Sequence, residues 1–161
     1  MWISNAVPPT IEQVLPRRST LSRSAAGERH LRQVIATNID TVMVVCGLDG
    51  DFNPARIERY FVLIEGSGAK AVVVLTKADL AADAQALTDQ LKARMPAGTE
   101  IHAINAKTGF GVDALLAHLG PGSSTVLVGS SGAGKSTLTN TLLGEARQST
   151  QAVRANDSRG R

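Results

Sequence analysis

The chain has 161 residues, 43% of them apolar and only 3% aromatic, which leaves room for one ordinary domain with an aliphatic core. A single cysteine, Cys46, excludes an internal disulfide, and the longest apolar runs fall far short of the ~20 residues of a membrane helix. The net charge of +3 is uneven: residues 1–36 carry five arginines against two glutamates, residues 37–144 are slightly acidic, and residues 145–161 are again basic.

The front, residues 1–36, is expected to hold strands at 11–15 and 34–36, joined by a polar, arginine-bearing connection through Ala26-Gly27. Two short strands do not make a domain unaided, so this stretch reads as the last part of a β-rich module. A basic front on an acidic body suits contact with a polyanion such as RNA, although a solvated basic face has the same composition. The opening Met1-Trp2-Ile3-Ser4-Asn5 lacks the basic and apolar regions of a signal peptide, so a cytoplasmic protein with no membrane partner is expected.

From residue 41 the pattern changes to alternating strands and helices. Apolar, β-branched runs begin at Val42, Val72, Ile101 and Val126, 30, 29 and 25 residues apart, the spacing of successive βαβ units in a parallel α/β sheet. Residues 42–46 and 71–75 are apolar throughout, as strands covered on both faces must be, and Cys46 reads as packing. Helices are predicted at 54–65, 82–95 and 112–119. The first has the clearest signals: Asn53 as N-cap, Pro54 in the first turn, Ile57, Tyr60, Phe61 and Ile64 on one face, and Gly66 as the stop.

Three segments carry chemistry. Thr76-Lys77-Ala78-Asp79 follows a buried strand and resembles the [N/T]KxD element with which GTPases read their base, Thr76 standing where Asn is commoner. Asp79 can accept two hydrogen bonds from guanine N1–H and its exocyclic amine, a donor pair adenine lacks, while the Lys77 stem lies along the base. Taken alone, Asp79 could equally cap the next helix. Asn105-Ala106-Lys107 resembles the SAK element, in which the central alanine N–H meets guanine O6; here Asn105 replaces serine, and a plain strand-to-helix turn would read the same way.

Gly129-Ser130-Ser131-Gly132-Ala133-Gly134-Lys135-Ser136 matches the Walker A pattern in full, between a strand at 124–128 and a helix at 135–143. Its glycines let backbone N–H groups converge on phosphate oxygens, and the helix N-terminus adds partial positive charge. Lys135 reaches the β- and γ-phosphates and is the catalytic candidate, Ser136 is the Mg²⁺ ligand, and Thr137 completes the nucleotide-binding run. All three segments leave the carboxyl ends of parallel strands, where such sheets bind ligands, and together they favour GTP over ATP.

Two other patterns are set aside. Asp49-Gly50-Asp51-Phe52-Asn53 has the first spacings of an EF-hand loop, but Pro54 and Tyr60 occupy the positions that require Gly and Glu. His30, His102 and His118 show no ligand spacing and there is no cysteine cluster, so no zinc site is expected in this chain.

The base-reading element, the SAK-like element and the P-loop occur in the rotated order of circularly permuted GTPases. With Leu15-Pro16-Arg17-Arg18-Ser19 and Leu48-Asp49-Gly50-Asp51-Phe52-Asn53, the chain resembles the ribosome small-subunit-dependent GTPase A family over nearly its whole length. The resemblance implies an N-terminal OB-fold that contacts RNA, a permuted G domain, and a C-terminal zinc domain. It implies GTP/GDP and Mg²⁺ as ligands, and action on the small ribosomal subunit, with its rRNA, late in maturation.

Residues 1–36 would then be the end of the OB-fold, with Arg17 and Arg18 as RNA contacts. Residues 37–144 would be most of the G domain and 145–161 the entry to switch I. Only 25 residues follow Ser136, so the switch threonine, the DxxG element and the zinc domain are expected beyond Arg161. Four strands of a six-stranded sheet would remain, leaving the P-loop strand an open edge: a monomer when intact, with self-association of the shorter form. Zinc is expected only in the C-terminal domain, and hydrolysis by the segment alone should be poor. An RNA-binding assembly factor with a passive nucleotide clamp, or a P-loop ATPase or kinase, are the alternatives.

Overall fold

Every residue of β5 (Thr41–Gly47) is buried, because its alternating side chains enter two separate cores. In the computed structural model, which describes residues 2–14, 16–24, 32–146 and 148, Val42, Val44 and Cys46 face one core while Met43 and Val45 face the other. β6 (Lys70–Thr76) repeats the arrangement, with Val73 and Leu75 on the first side and Val72 and Val74 on the second. With β7 (Glu100–Ala103) and β8 (Thr125–Val128) these strands make a parallel sheet of order β7-β6-β5-β8. The α/β class and parallel sheet expected from the strand spacing are therefore present. Among the described residues β8 pairs with β5 alone.

The first core is closed by α1 (Pro54–Glu65), through Ile57 and Ile64, and by α2 (Ala84–Lys92), through Leu91. Helix α1 has the predicted limits: the Asn53 side chain accepts from the Arg56 amide, and the chain turns away at Gly66. Helix α2 is shorter than the predicted 82–95: the Asp83 side chain accepts from the Ala86 amide and fixes the start two residues later, and the helix ends at Lys92. The second core is closed by α3 (Lys135–Leu143), through Leu138, and by residues Val112–His118, through Val112 and Leu115. This last crossover, predicted as a helix over 112–119, is 3₁₀. It is only seven residues long and lies between Gly111, in the left-handed region, and the break at Gly120-Pro121.

The front forms two antiparallel pairs: β1 (Trp2–Ile3) with β2 (Ile11–Gln13), and β3 (Thr20–Ser24) with β4 (Arg32–Thr37). β2 is shorter than the expected 11–15, whose last residue lies outside the described set, and β4 is longer than 34–36. β3 was not anticipated. Its buried Leu21 joins the first core, packed in the same cluster as Ile57 and Ile64 of α1. Ser19 reinforces this junction: its hydroxyl donates to the Ile39 carbonyl at 2.8 Å and accepts from the Ile39 amide at 2.6 Å. The Ala26-Gly27 connection and, apart from residues 145, 146 and 148, the expected entry to switch I lie outside the described residues. No helix among the described residues is long and apolar enough to cross a membrane.

Candidate nucleotide site at the carboxyl rim of the sheet

Strands β5, β6 and β8 run in register, so their carboxyl ends deliver three loops to one rim. After Val128 the chain passes close against β5. Gly129 has φ +152°, and a Cβ there would lie 2.1 Å from the Val45 carbonyl oxygen, a position only glycine can occupy. Gly134 closes the loop at φ +93° directly before α3, where a Cβ would come within 3.2 Å of the Thr76 hydroxyl. Between them Ala133 is fully buried in the second core and anchors the loop to the sheet. Ser131 is exposed, while Ser130, Gly132, Ser136 and Thr137 are half-buried.

The Lys135 ammonium is folded across this loop, donating to the carbonyls of Gly129 at 3.0 Å and Ser130 at 2.6 Å. Burial lowers its pKa below the ordinary lysine value, and the nearby Asp51 carboxylate works against that shift. Asp51 also accepts from the Ser130 hydroxyl and pairs with the Arg56 guanidinium at 2.7 Å. The Walker loop is therefore braced by a carboxylate from the β5–α1 connection.

Beside the loop lies a cleft of about 340 Å³. One wall is Asp49, Thr76, Lys77, Asp79 and Leu80; the other is Asn105, Ala106 and Lys107, with Gly134 and Thr137 completing the lining. Lys77 adopts left-handed backbone angles, φ 58° and ψ 38°, a conformation that costs a non-glycine residue about 1 kcal/mol. Its ammonium sits 2.5 Å from Asp49 Oδ2. Burial pushes the Asp49 carboxyl up, but hydrogen bonds from Lys77 and the Asp51 amide, with the charge on Lys77, outweigh it and hold the group below its usual range. Asp79 is exposed on the 3₁₀ turn Ala78–Leu80, its carboxylate available at the cleft.

Two departures from the GTPase patterns have local explanations. The Asn105 side-chain oxygen accepts from the amides of Lys107 at 2.9 Å and Thr108 at 3.2 Å, so asparagine folds the turn that a serine would otherwise cap. The Thr76 hydroxyl donates to the Ala133 carbonyl at 2.6 Å, tying the end of β6 to the Walker loop.

The predicted nucleotide residues thus converge on one rim. Arg17 and Arg18 do not line this cleft; they are exposed on the connection between β2 and β3, where the Arg18 amide donates to Asn38 Oδ1 at 2.8 Å. Reasoning from the sequence missed Asp49 and Asp51 as site residues. The signal was present in the segment set aside as a false calcium loop: the side chains of Asp49, Asp51 and Asn53 contact Lys77, the Walker loop and the α1 N-terminus instead. His102 and His118, distant in sequence, meet at Glu100, the first residue of β7.

Residues 14–161 match the family described as RsgA GTPase. Two curated relatives carry the name small ribosomal subunit biogenesis GTPase RsgA. The one from Xanthomonas campestris pv. campestris (strain B100) is 59% identical over 154 residues, and the one from Xanthomonas oryzae pv. oryzae (strain MAFF 311018) is 57% identical. Each alignment covers 94% of this chain but 42% of the relative, so the chain spans less than half the length of the curated relatives it matches. Among solved structures, YjeQ from Thermotoga maritima superposes with a TM-score of 0.65 at 27% identity, covering 83% of this chain and 45% of that one. YloQ, a circularly permuted GTPase, shares the fold with a TM-score of 0.54 at 21% identity, over 80% and 50% of the two chains.

Proposed function

The chain belongs to the RsgA GTPase family, and we propose that the protein binds and hydrolyses GTP in the late maturation of the small ribosomal subunit, in the cytoplasm. The observation that carries this reading is the cleft between Lys77–Asp79 and Asn105–Lys107, set directly beside the Walker loop. Its volume of about 340 Å³ can admit a purine. Asp79 supplies the carboxylate that two guanine donors satisfy, Lys77 lies along one wall, and Ala106 contributes backbone at the other.

Phosphates would follow into the Gly129–Ser136 loop, with Lys135 moving from its two carbonyl partners to the β- and γ-oxygens. The Ser136 hydroxyl, a hard oxygen donor in the first turn of α3, fits Mg²⁺ held jointly by phosphate and water. With bound Mg²⁺ neutralising phosphate charge, Lys135 would supply further positive charge to the transferring group.

The test is equilibrium binding of fluorescent GTP and ATP analogues to this chain with Mg²⁺ present. At least tenfold preference for the guanine analogue is expected; equal binding, or an adenine preference, would return the site to a general P-loop ATPase or kinase. Contact with rRNA is assigned to the exposed Arg17 and Arg18 on the front. Replacing both with Ala should weaken binding to ribosomal RNA and lower the slope of affinity against salt by up to about two. An unchanged slope would make them ordinary surface charges.

A further inference from the structure

Glu100 and His102 stand two residues apart on the edge strand β7, so their side chains share one face of the sheet. His118 ends the 3₁₀ crossover that leads from β7 towards β8. His118 Nε2 lies 3.0 Å from Glu100 Oε2 and His102 Nε2 lies 3.7 Å from the same oxygen; all three atoms fall within 4.8 Å of one another. We propose that Glu100, His102 and His118 form a binding site for a divalent transition-metal ion of the zinc class, on the edge strand β7 away from the carboxyl rim that carries the nucleotide cleft.

Five observations support it. Two imidazole nitrogens and one carboxylate oxygen are a donor set for zinc, and a poor one for Mg²⁺ or Ca²⁺, which take oxygen. Ligand bonds of roughly 2.0–2.1 Å at tetrahedral angles place donor atoms about 3.3 Å apart, and the two nitrogen–oxygen separations bracket that value. The two rings, with centroids 6.4 Å apart, need to swing only modestly closer. His102 Nε2 is buried without a hydrogen-bond partner, a costly condition that a metal bond relieves.

Lastly, Lys70 Nζ holds the other carboxylate oxygen, Glu100 Oε1, at 2.5 Å. It orients the ligand. Its positive charge also tempers affinity. Three protein ligands leave a fourth position for water, and partial exposure of Glu100 and His102 gives solvent a route in.

Such an ion would fasten the crossover to the edge strand. The crossover starts just after the Asn105–Lys107 wall of the cleft, and the His118 carbonyl accepts from the Thr125 hydroxyl at 2.8 Å, at the start of the strand that delivers the Walker loop. The site therefore links the two halves of the nucleotide rim from behind.

The experiment is a zinc titration of the chelator-treated 161-residue chain, followed by NMR of the histidine side chains and by competition with a chromophoric chelator. One equivalent of zinc should shift the ring resonances of His102 and His118 together, and Glu100→Gln and His118→Gln should each weaken binding at least tenfold. The wild-type resonances need no variant, so misfolding of a substituted chain cannot obscure the answer. If zinc leaves both rings unmoved, or moves them only after other sites fill, the cluster is a hydrogen-bonded network and the proposal fails.

Discussion

Thr76 is nearly inaccessible, at 1% exposure, and its hydroxyl spans from the end of β6 to the Ala133 carbonyl of the Walker loop. Valine at this position keeps the shape and removes the donor, leaving a buried carbonyl without its partner. Thr76→Val should therefore cost about 1–3 kcal/mol of stability in urea denaturation and weaken GTP-analogue binding several-fold. Unaltered stability and affinity would show that the bond is incidental. The sequence marked Thr76 as part of a base-reading element, but its partner lies 57 positions away, and only the fold reveals that the residue serves the phosphate loop. The same holds for Asp51: its neighbours suggested an EF-hand fragment, while its carboxylate is engaged by Ser130 and Arg56.

Elements were legible in proportion to how local their signals are. Helix α1 could be read to the residue because cap, first-turn proline, apolar face and terminating glycine all lie within the segment. β5 and β6 were legible because burial on both faces demands unbroken apolar runs. β3 was not: of its five residues only Leu21 supplies a large apolar side chain, and its place is fixed by antiparallel pairing with β4 and by the α1 surface beneath it. The crossover 112–118 has helical composition, yet two flanking glycine turns shorten it into 3₁₀ geometry. That tighter path sets His118 against Glu100, a meeting no linear spacing announces.

At the scale of the whole molecule, the motifs occur in the order Thr76–Asp79, Asn105–Lys107, Walker loop, and still assemble one site. Parallel strands make this possible: every strand presents its carboxyl end at the same rim, so the order in which the chain visits them does not alter what meets there. The buried centre, β5, carries no motif of its own but sits between the strand of Asp79 and the strand of the Walker loop, setting their separation. In the proposed function, guanine recognition rests on one exposed carboxylate, Asp79, at the edge of the cleft.

The most direct measurement exploits the chemistry of that group. Asparagine offers one acceptor and one donor where aspartate offers two acceptors, and xanthine carries a carbonyl where guanine carries its exocyclic amine. Binding of GDP and xanthosine diphosphate to the wild type and to Asp79→Asn should therefore cross over, each protein preferring its own base by about tenfold or more. If Asp79→Asn retained the wild-type preference for GDP, the cleft would not be reading guanine through Asp79, and the functional account built on it would be contradicted.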